Sequence, residues 1–305
     1  MAFTQSKVDY SLFTRGHDDT FVALLVYVDD IILTGPSHTV LNFVKTILKS
    51  HFQLKDLGSV KYFLGLEIFR SSRGISLSQR KYCLQILEDT SFLGARPAVF
   101  PMDPNLRLSK YDGEPLSDKD ANAYRRLLDH ILSPGQGVLL HKTSSFGLQA
   151  FVDADWGSCV GTRRSVTGFC VFFDDSLISW KSKKQATVSR SSTEAEYRAL
   201  VAVTSELIWI QQLLHDFSVP LSSPAFVYCD NHAAVSIASN PTFHEPKHIE
   251  IDYHFVRDKV SDGFLKLLLI RSSSQLADMF TKVLPSSTLK FLMPKMGVID
   301  LYTLS

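Results

Sequence analysis

The chain has 305 residues, of which 45% are hydrophobic and 21% charged, with a net charge of +1. That length allows about two domains, each able to bury a core, and the composition excludes a disordered chain. The near-neutral charge neither supports nor excludes a nucleic-acid partner and leaves that question to local patches.

The four cysteines, Cys83, Cys159, Cys170 and Cys229, form no C-x-x-C pair. They fit reduced intracellular thiols better than a disulfide framework or a zinc knuckle. The start, "MAFTQSKVDY", lacks the basic-then-apolar pattern of a signal peptide. No apolar run approaches the roughly 18 residues of a membrane span. The expectation is an intracellular protein with no membrane partner.

In chain order, "TFVALLVYVDDIILTG" and "VKYFLGLEIFRSSRGISLSQ" read as strands bounded by turn residues. Between them, Val40, Phe43, Val44, Ile47 and Leu48 recur at helical spacing, with Ser37 as N-cap. Residues 20–80 thus read as strand, helix, strand, turn, strand, an α+β unit. "QRKYCLQILEDTSF" reads as a further helix. Residues 94–122 hold four prolines and little periodicity, a linker, before a short helical piece, "ANAYRRLLDHIL".

From Leu139 the pattern changes. "GLQAFVDADWGS", "SVTGFCVFFDDSLISWKSKK" and "PAFVYCDNHAA" supply about four strands. A long helix over "STEAEYRALVAVTSELIWIQQLLHDF" carries Leu200, Val203, Leu207, Ile210 and Leu214 on one stripe. Another helix starts near Asn231. "GFLKLLLIRS" reads as a late strand and "SQLADMFTKVL" as a last helix.

Four acids stand out by position: Asp153 and Asp230 at strand ends, Glu196 in the first turns of the long helix, and Asp278 on the last helix. Carboxylates that converge at one sheet edge repel one another unless cations neutralise them. Hard oxygen ligands in that number suit Mg²⁺ or Mn²⁺, and two such ions about 4 Å apart would clamp a scissile phosphate. The competing reading is four unrelated surface acids among the 31 Asp and Glu of the chain.

"VDADWGSCVGTRRSVTGFCVFF", "LISWKSKKQATVSRSSTEAEYRALVAVTSELIW", "CDNHAAVSIASNPTFHEPKHIEIDYHFVRDKV" and "SQLADMFTKVL" closely resemble the RNase H domain of copia-type retrotransposon polyproteins. "YVDDIILTG", "FQLKDLGSVKYFLGLEI" and "ISLSQRKY" resemble the reverse transcriptase palm and thumb of the same elements. The resemblance covers nearly the whole chain, in the family's order. It implies an α+β palm/thumb fragment followed by an α/β RNase H-like domain, a mixed five-stranded sheet flanked by helices. The expected divisions are 1–93 for palm and thumb, 94–138 for linker and connection, 139–285 for the RNase H-like domain, and 286–305 for a tail.

It further implies cleavage of the RNA strand of an RNA–DNA hybrid with two Mg²⁺ or Mn²⁺ ions. Asp153, Glu196, Asp230 and Asp278 match the family's metal ligands. Glu194 is the alternative to Glu196, which is preferred because an aromatic residue follows it. The loop before the last helix, "RSSSQ", lacks the mobile histidine that many RNases H carry there. Asp155 reads as a turn residue or supporting acid.

Arg163, Arg164, Lys181, Lys183, Lys184 and Arg190, with Trp180 beside them, read as a contact for a hybrid's phosphates or as a solvated edge. Ser189, Ser191, Ser192 and Thr193 could bond substrate or cap the long helix. His244, His248 and His254 fit no common zinc spacing and read as surface and packing groups. Asp29 and Asp30 read as the hairpin carboxylates of a polymerase palm, Asp29 the direct ligand. The third palm aspartate and the fingers lie upstream of this strand in the family. The expectation is therefore a vestigial, polymerase-inactive palm, with a shortened connection that exposes apolar surface. The rival expectation is an inactive nucleic-acid-binding remnant or pseudogene product.

Overall fold

The computed structural model describes residues 2–89, 91, 93–94, 135–142, 146–221, 223–240 and 250–301. Most of the expected linker, the helix over 121–132, and His244 and His248 lie outside the described residues.

Three sheets organise the described chain. The first is antiparallel, with strands β1 (Thr4–Gln5), β2 (Leu12–Arg15), β3 (Val22–Tyr27) and β4 (Asp30–Thr34) in sequence order. Its first two strands fall in sequence that reads as polar loop. Asp9 makes the difference: its Oδ1 accepts from the backbone N–H and the hydroxyl of Ser11, which closes the β1–β2 turn. Helix α1 (His38–His51) follows, its N-cap Ser37 accepting from the Val40 N–H as expected.

The stretch from Val60 to Arg70, read as one strand, is two: β5 (Tyr62–Phe63) and β6 (Leu66–Ser71). Leu64 and Gly65 both have positive φ, 49° and 80°, the backbone of a two-residue hairpin loop. Strand β7 (Gly74–Ser78) and helix α2 (Arg80–Asp89) come next. Strand β8 (Gln136–His141) pairs with β7, so the second sheet joins residues 62–78 to the later chain.

The third sheet begins with β9 (Leu148–Asp155), β10 (Val166–Phe173) and β11 (Ser176–Lys184), an antiparallel meander. Helix α3 (Ser192–Asp216) crosses to β12 (Ala225–Cys229), parallel to β9. Helices α4 (His232–Ser239) and α5 (Glu250–Ser261) lead to β13 (Leu265–Leu269), parallel to β12. The strand order is β11-β10-β9-β12-β13. This is the expected mixed five-stranded sheet flanked by helices. Ser191 caps α3 through the Glu194 N–H, and Asn231 caps α4 through the Ala234 N–H. Ser189 instead donates to the buried amide oxygen of Gln185.

Both faces of this sheet are covered. On one, Ala195, Leu200, Val203 and Leu207 of α3 pack in a cluster with Ala150, Val152, Phe169 and Val171. On the other, Cys170 and Phe172 meet Leu276, Leu292 and Met296.

The last helix expected over 274–284 is a correction. The chain there forms short 3₁₀ turns, Ser272–Ser274 and Leu276–Phe280. Gln275 sets this geometry: buried, it donates to the Val152 carbonyl on β9 and accepts from the Ala277 N–H, which holds the segment flat on the strands. Helix α6 (Ser286–Leu292) and β14 (Val298–Asp300) follow, and β14 pairs with β8 as the far edge of the second sheet. The indole N–H of Trp209 on α3 donates to the Val8 carbonyl, so the first sheet touches the same helix. Among the described residues no helix is long and apolar enough to cross a membrane.

Candidate metal centre

Asp153 sits on β9 at 1% exposure, opposite Gly168 on β10. A Cβ at Gly168 would stand 2.5 Å from Thr281 Cγ2 and 2.9 Å from Phe280 Cβ. Glycine there lets the segment bearing Asp278 lie against the strands. Thr281 then donates its hydroxyl to Asp153 Oδ2. The Lys282 ammonium donates to Asp153 Oδ1 at 3.1 Å and to Asp278 Oδ1 at 2.6 Å.

The other two acids meet at the same sheet end. Ligand atoms of Glu196, Cys229 and Asp230 lie within 4.8 Å of one another. Ser272 donates to Asp230 Oδ2 at 2.7 Å. The structure therefore groups Glu196 with Asp230, and Asp153 with Asp278 through a lysine. The two groups feel each other's charge. Burial, then the charges of Asp153 and Asp230, push the Glu196 carboxyl up to about 8. Burial also raises Asp278, with Asp153 and Asp230 adding to it against the Lys282 hydrogen bond. Burial raises Asp155 as well. For Lys282, burial favours the neutral amine. The hydrogen bond to Asp278 and the charge of Asp153 outweigh it and hold the ammonium firmly protonated.

Glu194 differs from Glu196. Its carboxylate accepts from the Arg190 N–H and from Arg198 Nη2, both local to the start of α3.

These residues fit a hard divalent cation. Lys282 already stands as a cation between two carboxylates, and Glu196 and Asp230 offer further oxygens within ligand reach. Cys229 is the third member of that group; burial and the Glu196 charge push its thiol up, and sulfur suits softer ions than Mg²⁺.

The basic stretch on β11 is split by strand alternation. Trp180, Ser182 and Lys184 share the face of Asp153, because Asp153, Gly168 and Ser182 are register partners. Lys181 and Lys183 lie on the α3 face, where the Lys181 ammonium sits 6.0 Å over the Phe169 ring. Arg163 and Arg190 are exposed and Arg164 half-buried.

Asp29 and Asp30 are exposed at the β3–β4 turn, and neither joins a cluster of three metal-ligand types among the described residues. His254 is exposed on α5.

Sequence reasoning missed Lys282, Thr281 and Ser272. The spacing of Asp278 and Lys282, four apart, was a signal for the first. Nothing local marks the other two, whose partners are over 40 positions distant. Trp156 was missed too. It is half exposed, and its indole N–H donates to the Ser189 carbonyl.

Residues 1–104 match the family model of the reverse transcriptase (RNA-dependent DNA polymerase). The retrovirus-related Pol polyprotein from transposon RE1 of Arabidopsis thaliana is 36% identical over 98% of this chain and 23% of that polyprotein. An uncharacterized mitochondrial protein of the same plant is 41% identical over 61% of this chain and 93% of its own. Among solved structures, an RNase H1 isolated from compost covers 44% of this chain and 92% of its own, at 14% identity and a TM-score of 0.35.

The sequence and its relatives thus define a retrotransposon Pol polyprotein with a reverse transcriptase part. More narrowly, the chain belongs to the copia-type Pol polyproteins. It spans about a quarter of the length of the first polyproteins it matches, 23% in each. The mixed sheet with helices on it is consistent with an RNase H-like fold.

Proposed function

We propose that residues 139–285 act as an RNase H-type endonuclease on the RNA strand of an RNA–DNA hybrid. The observation that carries this reading is the geometry: ligand atoms of Glu196 and Asp230 lie within 4.8 Å of each other, and Asp153 and Asp278 meet through Lys282, acids from α3, the end of β12, β9 and the 3₁₀ turn. Asp278 comes from a fourth element and feels the same two charges.

Asp153, Glu196, Asp230 and Asp278 would hold two Mg²⁺ or Mn²⁺ ions, which supply charge stabilisation at a scissile phosphate and a deprotonated water for attack. The chain's own groups do the rest. Ser272 orients Asp230. Thr281 orients Asp153. Glu196, poised near 8, is able to hold a proton until a cation draws it off. Trp180 and Lys184, on the face of Asp153, offer stacking and phosphate contacts to the hybrid; Arg163, Arg164 and Arg190 offer further charge, and Lys181 and Lys183 do so from the other face. In the first sheet, the exposed Asp29 and Asp30 are read as the carboxylates of a polymerase hairpin.

The test uses the full chain and a hybrid labelled on its RNA strand, with Mg²⁺, beside an Asp230→Asn variant. Cleavage by the first and not by the second is expected. Equal cleavage by both, or by neither, contradicts the proposal.

A further inference from the structure

Lys282 takes no part in the proposed chemistry, yet it sits where a cation belongs. Its ammonium touches one oxygen of Asp153 and one of Asp278, from outside β9 and from the end of the 3₁₀ turn. The Asp153 carboxylate is nearly fully buried, so a neutralising partner there is obligatory rather than decorative. Its second oxygen is taken by the Thr281 hydroxyl. Both residues that satisfy Asp153 therefore come from one short segment that also carries Asp278.

We propose that Lys282 is a built-in counter-ion of the carboxylate centre, and that a divalent cation must displace its ammonium to be held by Asp153 and Asp278. The inference rests on the metal-site reading above and adds a competitor to it. An ammonium and a divalent ion held against the same two oxygens, Asp153 Oδ1 and Asp278 Oδ1, repel at close range, so each disfavours the other there. Metal binding is then an exchange: two charge-assisted hydrogen bonds break as the ion's ligand bonds form. The lysine side chain, 37% exposed beside the site, is long enough to carry the released ammonium toward solvent or a substrate phosphate. The exchange keeps the segment docked before the ion arrives, because Asp153 is never left buried and unpaired.

The test measures Mn²⁺ affinity of the full chain by calorimetry, without substrate, in the wild type and in Lys282→Met, Lys282→Arg and Asp153→Asn. Lys282→Met should bind Mn²⁺ about tenfold tighter, which is about 1.4 kcal/mol. Lys282→Arg should stay near the wild type, and Asp153→Asn should lose most binding. Binding that depends on Asp153 but is unchanged or weaker in Lys282→Met overturns the counter-ion role and leaves the metal site standing. Binding indifferent to Asp153 overturns both.

A second readout needs no variant to fold except for assignment by Lys282→Arg. The ¹H–¹⁵N signal of the Lys282 ammonium, protected by two carboxylates, should vanish into solvent exchange as Mg²⁺ is added. A signal unchanged through metal saturation contradicts the exchange.

Discussion

Glu196 sets the pH behaviour of the site. Its folded carboxyl titrates near 8 against an ordinary value of 4.5, chiefly through burial. Between those values the folded chain keeps a proton that the unfolded chain has lost. Stability through this group is therefore greatest below about pH 4.5 and falls as pH rises to about 8. Urea unfolding in chelator should show that decline, and Glu196→Gln should flatten it. Added Mg²⁺ should oppose it, since a cation stabilises the ionised form. Two other residues make predictions about stability alone. Thr204 on α3 is fully buried, and its hydroxyl has no hydrogen-bond partner among the described residues. Thr204→Val should stabilise the chain by up to about 1 kcal/mol in urea titrations. Val28, at the tip of the β3–β4 hairpin, has φ of 48°, a strained backbone for a β-branched side chain. Val28→Gly should relieve roughly 1 kcal/mol of that strain, raising the denaturation midpoint of the first sheet.

At the scale of elements, the site depends on how closely the 3₁₀ segment approaches β10. Gly168→Val would drive a side chain into Thr281 and Phe280. It should cost about 1–3 kcal/mol and, by lifting Asp278 and Lys282 from Asp153, lower Mn²⁺ affinity in the same calorimetric assay. This dependence also explains what was legible in the sequence. Helices α1, α3 and α4 were readable because a cap and a 3.6-residue apolar stripe are local signals. Strands β9, β10 and β12 were readable because short runs rich in Val, Phe and Tyr are local signals too. The 3₁₀ turn was not, because its apolar residues, Leu276, Ala277 and Met279, mimic a helical stripe. What decides its geometry is the contact from Gln275 to Val152, 123 positions away. Nor was the hairpin at Leu64 and Gly65 legible, since apolar residues run straight through it.

In the whole molecule, the second sheet ties distant parts together. Strand β8 is flanked by β7 from the first part of the chain and by β14 from its last residues. Leu292 and Met296, just before β14, complete the apolar cluster under the third sheet. Removing residues 286–305 strips both side chains from that cluster. At about 1.5–3 kcal/mol for each buried side chain, the deletion should cost at least about 3 kcal/mol and expose the face bearing Cys170 and Phe172. A fall in thermal midpoint with new dye binding would register it. Elsewhere the surface carries large apolar groups, Val28, Leu57, Tyr10 and Tyr62 among them, each more than 60% exposed. Ile251 on α5, at 85%, is exposed to the same degree, so such groups occur in both parts of the chain.

In the proposed centre, Asp153, Glu196, Asp230 and Asp278 share bound metal. Anomalous diffraction from crystals of the full chain grown with Mn²⁺ and an RNA–DNA hybrid tests it most directly. The account predicts manganese peaks about 2.1 Å from oxygens of those four side chains, with the Lys282 ammonium swung away from Asp153. Manganese bound only elsewhere, or four carboxylates turned to different faces of the sheet, would contradict it.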